Sequence, residues 1–189
     1  MQNTERALVE LAQHGDEEAF ASLARMAGDR LMTVAYRILR DVDRAEDAVQ
    51  QTIVTAWREL PSLREPDRFS GWLYRMLVHA CYAEARRARR LTATVHALSI
   101  GVQHGQDDIL SVDDRDQLER AFRRVPPEQR AIFVFHHHLG MRLSEIAETL
   151  DIPLGTVKSR LHYATATLRA AIEADARTPT STSSGERLA

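Results

Sequence analysis

The fold is decided by the stretch Leu143-Ser-Glu-Ile-Ala-Glu-Thr-Leu-Asp-Ile-Pro-Leu-Gly-Thr-Val-Lys-Ser-Arg-Leu161. Apolar side chains recur at helical spacing on both sides of Asp151 and Pro153, which predicts two helices joined by a tight turn. Ser144 is the predicted cap of the first helix. Asp151 is expected to adopt the left-handed turn conformation, which costs glycine less. The stretch is therefore typical of a helix-turn-helix.

One face of the second of these helices carries hydroxyl and cationic side chains, which can bind phosphates and read base edges in a DNA major groove. This predicted face consists of Gly155, Thr156, Lys158, Ser159, Arg160, His162 and Tyr163. A structural helical hairpin with a solvated polar face is the alternative. The string from Gly155 to Leu161 favours DNA binding, because phosphate contacts, base contacts and the apolar seam all come from one short segment.

The rest of the chain also has helical periodicity, with no convincing alternating strand. Three long helices are predicted around residues 20–39, 45–60 and 70–90, and their broad apolar stripes should pack as one bundle. A second helical block begins near Gln117, and Pro126-Pro127 opens a helix that stops near Gly140. The predicted fold class is all-α, with two small helical domains, a helical bundle and a helix-turn-helix domain, joined by a flexible linker. The predicted boundaries are 1–90, linker 91–116, 117–174 and a disordered tail at 175–189.

Composition restricts the class of protein. The chain has 189 residues and a net charge of −2, so any nucleic-acid footprint must be local. Cys81 is the only cysteine, which excludes an internal disulfide framework and fits a reducing cytoplasm. The sequence has neither a signal peptide nor an apolar run of about 18 residues, the length that a membrane span needs. We therefore expect a cytoplasmic protein with no membrane contact of its own.

The predicted helix at residues 70–90 is a second candidate surface for nucleic acid. Trp72, Arg75, His79 and Tyr82 lie away from its main apolar stripe, and the helix ends in the cationic run from Arg86 to Arg90. Aromatic rings stack unpaired bases while arginines follow phosphates, so this mixture is suited to single-stranded nucleic acid. The alternative is that Trp72 and Tyr82 are core residues and that the arginines form a solvated helix end.

Acidic residues cluster at the start of the predicted helix 45–60, at Asp41, Asp43, Glu46 and Asp47. Acids in a first helical turn usually complement the helix dipole. The alternative is a docking face for a protein partner.

In this order, several strings resemble the extracytoplasmic-function sigma factors, the smallest class of the main bacterial sigma family. The resemblance covers about residues 16 to 173. It rests on Arg44-Ala-Glu-Asp-Ala-Val-Gln-Gln-Thr52, Phe69-Ser-Gly-Trp-Leu-Tyr-Arg75, Pro126-Pro-Glu-Gln-Arg130, Ser144-Glu-Ile-Ala147 and Gly155-Thr-Val-Lys-Ser-Arg-Leu161. The resemblance implies an alternative sigma factor that binds core RNA polymerase and directs promoter-specific transcription initiation.

The resemblance also implies roles for residues. Core RNA polymerase, through the clamp of its largest subunit and the flap of the second, would be a partner. The core-binding residues would be Asp41, Asp43, Glu46, Asp47, Gln50 and Gln51. Promoter double-stranded DNA would be bound at the −35 element by the helix-turn-helix face. The −10 single strand, with a base flipped into the loop at residues 63–70, would be bound and melted by Leu63, Arg64, Asp67, Arg68, Phe69, Ser70, Trp72, Arg75, His79, Tyr82, Arg86 and Arg87.

Other implications of the resemblance concern regulation and promoter choice. The resemblance implies an anti-sigma factor as a further partner. The linker's acidic run, which includes Asp107, Asp108, Asp113 and Asp114, is hypothesised to mimic nucleic acid in a channel of the polymerase. The chain departs from the family pattern at four positions, which affects the expected promoter preference. His79 replaces Asn, Ala83 replaces Asp, Asp151 replaces the turn glycine, and Tyr163 replaces Arg.

Two other classes compete with a sigma factor. The run His136-His-His138 suggests a metal site, but consecutive helical residues point about 100° apart and can hardly bind one ion together. With neither a nucleotide loop nor a nucleophile arrangement, we expect no metal, no cofactor and no enzymatic activity. The stronger alternative is a helix-turn-helix transcriptional regulator without sigma activity, usually a symmetric dimer on palindromic DNA.

Overall fold

The structure is a computed structural model that describes residues 2–98 and 114–176. Every regular element within these ranges is helical, which confirms the all-α prediction. The α-helices are α1 (Gln2–Gln13), α2 (Glu17–Leu39), α3 (Val42–Glu59), α4 (Phe69–Leu98), α5 (Asp114–Arg124), α6 (Pro127–His137), α7 (Leu143–Leu150) and α8 (Leu154–Ala176). Single 3-10 turns at Leu60–Ser62 and Pro66–Arg68 connect α3 to α4. We call α1–α4 the first module and α5–α8 the second module.

Helices α2, α3 and α4 are the three long helices that the periodicity predicts. Aspartates cap the first two: Asp16 accepts a hydrogen bond from the backbone N–H of Ala19 at 2.9 Å, and Asp41 accepts one from the backbone N–H of Arg44 at 3.0 Å. Both bonds satisfy donors that a helix start would otherwise leave unpaired. The predicted apolar stripe of α2 is buried at Leu23, Ala27, Leu31, Val34, Ile38 and Leu39.

Helix α4 continues to Leu98, past the end near residue 90 that the sequence predicts. Residues 91–98 contain neither glycine nor proline, so nothing interrupts the helical hydrogen bonds there. Similarly, α5 begins at Asp114 rather than near Gln117. Part of the predicted linker lies outside the described residues, including its acidic residues Asp107, Asp108 and Asp113. Most of the predicted tail also lies outside them.

Helix α1 is absent from the sequence prediction. Its Val9 and Ala12 side chains are buried against α2. The signal was present, because Leu8, Val9 and Ala12 lie at helical spacing. The amide of Gln13 donates to the backbone carbonyls of Leu60 at 3.2 Å and Leu63 at 2.6 Å, so α1 also ties down the turns between α3 and α4.

The helix-turn-helix of the second module starts differently from the prediction. Arg142, not Ser144, is the N-cap of α7, and its backbone N–H donates to the carboxylate of Glu145 at 2.6 Å. Ser144 lies exposed within the first turn. The Glu145 side chain reaches back to the backbone N–H of the cap residue, which is the glutamate half of a capping box. At the other end Asp151 has φ 53° and ψ 51°, which confirms the predicted left-handed turn.

The two modules share a hydrophobic core in the described part of the chain. Buried residues from the second module join the core of α1–α4, at Ala131, Ile132, Val134, Phe135, Ile146, Leu150 and Val157. Helix α6 packs on α2 and α4, and α7 packs on α4. Only the far end of the second module has a separate cluster, formed by Ala121, Val125, Ala164, Leu168 and Ala171. Both helical modules are thus present, yet they lie against each other.

In the described ranges, no helix combines the length and the apolar character that crossing a membrane requires.

Candidate nucleic-acid interface

The polar face of α8 is open to solvent. Lys158, Ser159, His162 and Tyr163 are exposed, whereas Thr156 and Arg160 are half-buried. The opposite side of the helix is anchored by Val157, which is 0% exposed, and by Ala164. Around Gly155 there is open space, so backbone or phosphate can approach the helix start closely. The predicted DNA-reading residues therefore lie together on one accessible surface.

The corresponding face of α4 is less accessible. Trp72, Arg75 and Tyr82 are half-buried, and only His79, with Arg86 and Arg87 further along, is exposed. The rings of Trp72 and Phe69 lie 6.0 Å apart. On the core side of the helix Cys81 is fully buried, and burial raises the pKa of its thiol to about 12.

The second module covers part of this face of α4. A guanidinium nitrogen of Arg75 lies 3.0 Å from a carboxylate oxygen of Asp151, the residue in the turn between α7 and α8. A Cβ added at Gly71 would lie 3.7 Å from the hydroxyl of Thr149 on α7. These contacts bring the start of α4 against the helix-turn-helix.

Tyr82 lies in the same interface. Its hydroxyl is buried and has no hydrogen-bond partner within the described ranges. Burial raises the pKa of Tyr82, and the nearby Arg160 guanidinium opposes part of that shift. The interface therefore brings Tyr82, a predicted −10 residue, close to Arg160, a predicted −35 residue.

A second ion pair joins the modules at the middle of α5. Arg40, which ends α2 in the left-handed conformation, forms an ion pair with Glu119. Its guanidinium also lies 5.2 Å from the ring centroid of Phe122 and 5.3 Å from that of Tyr36. Burial lowers the pKa of Arg40 from its ordinary value. Because these contacts combine charge and aromatic packing, Arg40 links both modules.

The loop before α4 combines accessible polar groups with a buried anchor. Arg64, Asp67 and Arg68 are exposed, whereas Phe69 is 3% exposed and packs in the core. Phe69 thus anchors the loop to the hydrophobic core and does not face solvent. Helix α1 again holds this segment: Ser70 donates a hydrogen bond to Glu5 at 2.8 Å, and Arg6 pairs with Asp67 at 2.8 Å.

The acidic and amide residues at the start of α3 form one exposed stripe. Asp43, Glu46, Asp47, Gln50 and Gln51 are all exposed, and their spacing of three and four places them on one side of the helix. Asp41 differs, because it caps the helix and pairs with the Arg44 guanidinium at 3.3 Å. The capping interpretation therefore accounts for Asp41, and the other five remain available to a partner.

The three consecutive histidines have local environments of different kinds. A ring nitrogen of His136 lies 2.9 Å from the carbonyl oxygen of Met141 and supports the turn after α6. His137 and His138 are exposed. Across the described ranges, no group of three or more His, Cys, Asp or Glu side chains is arranged to hold a metal ion.

Comparisons with known proteins match both modules. The family model of sigma-70 region 2 matches residues 23–91, and that of sigma-70 region 4 matches residues 115–168. The chain is 35% identical to the ECF RNA polymerase sigma factor SigM of Mycobacterium tuberculosis over 160 residues, which is 84% of this chain and 80% of that protein. It is 28% identical to the ECF RNA polymerase sigma factor SigW of Bacillus subtilis over 174 residues, 85% of this chain and 92% of that protein.

Solved structures share the whole architecture. A structure of CnrH in complex with the cytosolic domain of CnrY matches with a TM-score of 0.63 and 27% identity, over 91% of this chain and 99% of that one. The sigma factor RpoE of Bartonella quintana, in complex with the anti-sigma factor NepR, matches in fold with a TM-score of 0.62. That match covers 82% of this chain and 98% of that one, at 23% identity.

Proposed function

The chain belongs to the ECF RNA polymerase sigma factors, alternative sigma factors that bind core RNA polymerase and direct promoter-specific initiation, and we propose which of its surfaces performs each step. The observation that carries this assignment is that one chain holds an open helix-turn-helix face on α8 and a second aromatic and cationic face on α4. A regulator without sigma activity has no need of the second face. We keep the division proposed from the sequence, with residues 1–90 and 117–174 as the two functional domains.

The α8 face is proposed to read the −35 element. Arg160 is the best candidate for a base contact, because a guanidinium can bond two acceptors of guanine in the major groove. Lys158, Ser159 and Thr156 are suited to phosphates near the helix start. Tyr163 and His162 are exposed beside them and would contact the flanking backbone or base edges.

The exposed stripe on α3 is proposed to bind the polymerase clamp. The stripe offers the carboxylates of Asp43, Glu46 and Asp47 and the amides of Gln50 and Gln51 on one side of a helix. Charged groups at the rim of an interface steer association and fix its orientation. The flap of the second large subunit would be contacted by the second module.

The loop at residues 63–70 and the face of α4 are proposed to capture and open the −10 strand. Extruding a base costs a few kcal/mol, which stacking and edge hydrogen bonds in a pocket offset. Arg64, Asp67 and Arg68 supply exposed polar groups in the loop, and Trp72 supplies a ring next to it. Further along α4, His79, Arg86 and Arg87 would follow the phosphates of the single strand.

Promoter opening then requires the two modules to move apart. Asp151 of the second module pairs with Arg75, and the hydroxyl of Tyr82 is buried, so Tyr82 reaches DNA only after separation, whereas Arg75 has only to leave its ion pair. The Arg75–Asp151 pair resists this only weakly, because its side chains are 43% and 73% exposed and such pairs contribute about 0–1 kcal/mol. The shared apolar core contributes most of the cost. Binding to core polymerase would supply the free energy, since a ligand shifts an equilibrium by its differential affinity for the two states.

We also propose where the protein acts and which partner regulates it. The protein itself would catalyse no reaction, because the chemistry of RNA synthesis belongs to the polymerase, and it would act in the cytoplasm. An anti-sigma factor is a proposed partner, since the similar solved structures are the CnrH–CnrY complex and the complex of a sigma factor with the anti-sigma factor NepR.

Run-off transcription with purified core polymerase tests the proposed function. We expect specific transcripts from a cognate promoter only when this chain is added, with permanganate-reactive thymines in the −10 region. A regulator without sigma activity would instead bind DNA alone and give no specific transcript with core enzyme. That result would contradict the proposal.

A further inference from the structure

An arginine-lined groove lies between the modules and includes one residue, Arg89, of the cationic run from Arg86 to Arg90. It has a volume of about 810 Å³ and is formed by the end of α2, the start of α3, the second half of α4 and the junction of α5 with α6. Its cationic residues are Arg44, Arg89, Arg123, Arg124 and Arg130. None of its described lining residues is acidic. The groove therefore concentrates positive charge in a protein whose net charge is −2.

Arg130 is the unusual member of this set. It is only 7% exposed, and its Nε–H has no hydrogen-bond partner in the ranges that the structure describes. Burial, followed by the charges of Arg40 and Arg89, lowers the pKa of Arg130 to about 10, while Glu128 opposes the shift. The side chain nevertheless stays charged at neutral pH. A buried cation without an anionic partner is costly, so this position is suited to an anion from outside the chain.

The surrounding arginines are also suited to an anion from outside the chain. Arg89 and Arg123 are exposed at the edge of the groove, and Arg44 is also exposed, with Asp41 as a partner at 3.3 Å. Arginine has a planar fork of donors that matches phosphate oxygens in pairs, and charge-assisted bonds of this kind are about twice as strong as neutral ones. Several forks around one space favour a ligand with several linked phosphates over a single carboxylate.

We propose that this groove binds a small oligophosphate, a molecule with two or more linked phosphates. The volume falls within the range of roughly 300–1,000 Å³ that small-molecule sites occupy. Leu39, Val125 and Pro127 add an apolar wall. This wall could contact a ring attached to the phosphates, so inorganic and nucleoside oligophosphates share the chemistry that the groove recognises.

Binding would favour the packed arrangement of the modules. The groove takes Arg44 and Arg89 from the first module and Arg123 and Arg130 from the second, so separation divides the site. A ligand that binds only the packed form stabilises it by mass action. An oligophosphate would therefore oppose the opening that core polymerase drives, and this consequence, unlike the binding itself, rests on the proposed function.

Calorimetric titration of the full chain with sodium tripolyphosphate, in magnesium-free buffer at fixed ionic strength, tests the proposal. The wild-type chain should bind one equivalent. Arg130→Gln should weaken binding by roughly tenfold or more, as expected from losing a charge-assisted contact. The paired variant Arg89→Gln with Arg123→Gln should do the same. This pair is exposed and therefore tests the groove without disturbing the core, should Arg130→Gln fail to fold.

The matched control is Arg58→Gln with Arg169→Gln, which removes the same charge from exposed positions outside the groove. This control should bind tripolyphosphate as the wild type does. Equal affinity in groove and control variants would overturn the proposal. The proposal would also be overturned if each chain bound many equivalents of tripolyphosphate and this binding disappeared for all variants at about 0.3 M salt, where screening removes non-specific attraction.

Two further measurements test which kind of phosphate ligand the groove accepts and whether its binding opposes association with core polymerase. ATP and GTP should compete with tripolyphosphate for the groove. The proposal of a small-molecule site would be overturned if a single-stranded oligonucleotide bound through the same arginines and tripolyphosphate did not affect that binding. In a magnesium-free assay, tripolyphosphate should weaken association of the wild type with core polymerase, but not of the Arg89 and Arg123 double variant. Unchanged association would contradict the coupling, and run-off transcription without oligophosphate would still test the proposed function separately.

Discussion

Helices α4 and α8, the two proposed nucleic-acid surfaces, carry the same kinds of aromatic and cationic side chain, but in the packed protein the accessibility of these side chains differs. Tyr163 on α8 is 58% exposed, whereas the hydroxyl of Tyr82 on α4 is buried without a hydrogen-bond partner in the described ranges. Arg75 on α4 pairs with Asp151, while Lys158 on α8 is exposed to solvent. The difference means that the proposed −35 surface is accessible in the packed protein, whereas Tyr82 of the proposed −10 surface has to be uncovered first.

The comparison depends on the shared core, and Ile146→Ala should disturb it most. Ile146 on α7 is 0% exposed and belongs to the core of both modules. Its truncation should lower the free energy of unfolding by roughly 2–5 kcal/mol through lost burial and a cavity. Urea unfolding measures this, and hydrogen exchange should show faster opening in α4 as well as in α5–α8.

A surface substitution provides the control for that variant. Leu11 is 52% exposed, so Leu11→Ala should change the free energy of unfolding by no more than about 0.5 kcal/mol. If Ile146→Ala accelerated exchange only in α5–α8, the modules would be independent, and the covered state of α4 would need another explanation.

Arg160→Ala addresses the open side of the comparison. Binding to a duplex that carries the −35 element should weaken by about 1–3 kcal/mol if Arg160 reads a base. Fluorescence anisotropy with the free chain suffices, because α8 is accessible. Arg169→Ala, an exposed arginine on the same helix, should leave this affinity almost unchanged. Equal losses in both variants would indicate general charge attraction rather than base reading.

Trp72→Ala addresses the covered side. Loss of one stacking ring should cost about 1–3 kcal/mol per base in strand opening, measured by permanganate reactivity of the −10 region in the polymerase complex. Binding of −35 duplex should not change. Trp72→Phe keeps a ring and should restore most of the reactivity. Full reactivity in Trp72→Ala would assign the indole to packing alone, with Phe69 as its neighbour.

Asp151→Gly should have the smallest effect and sharpens the comparison most directly. It removes the Arg75 pair, worth about 0–1 kcal/mol, while glycine adopts the turn's positive φ without cost. We expect little change in the free energy of unfolding and roughly two- to fivefold tighter binding of a −10 single strand by the free chain. Asp151→Asn removes only the charge and should bind equally well. Wild-type affinity in both variants would show that the pair does not restrain α4.

Local patterns in the sequence predict most of the fold, because helical periodicity and helix-end residues act within a few positions. The left-handed turn at Asp151 and the exposed face of α8 follow from such patterns. The α7 cap does not, because the helix begins two residues earlier than a Ser144 cap predicts, and Glu145 accepts a hydrogen bond from the backbone N–H of Arg142. Helix α1 has an apolar pattern at Leu8, Val9 and Ala12, but this pattern is too short to predict a helix without the contacts to α2.

The contacts between modules could not be predicted in this way. The sequence around Tyr82 is consistent with a stacking residue and with a core residue. The burial of Tyr82 depends on the position of the second module, which local sequence does not indicate. Arg130 lies in a string that resembles the family pattern, but nothing in its neighbours along the chain indicates a buried cation. Both properties arise from residues far apart in the sequence.

The hydrogen bonds from Gln13 to the carbonyls of Leu60 and Leu63 have a practical consequence for work with shortened proteins. A polypeptide trimmed to the region matched by the family model, residues 23–91, keeps α3 and most of α4 but loses α1, which holds the loop that we propose captures a base. Such a fragment could fold and still melt DNA poorly. Activity measured on it would then underestimate the intact molecule, and a bulky fusion at the amino terminus carries the same risk.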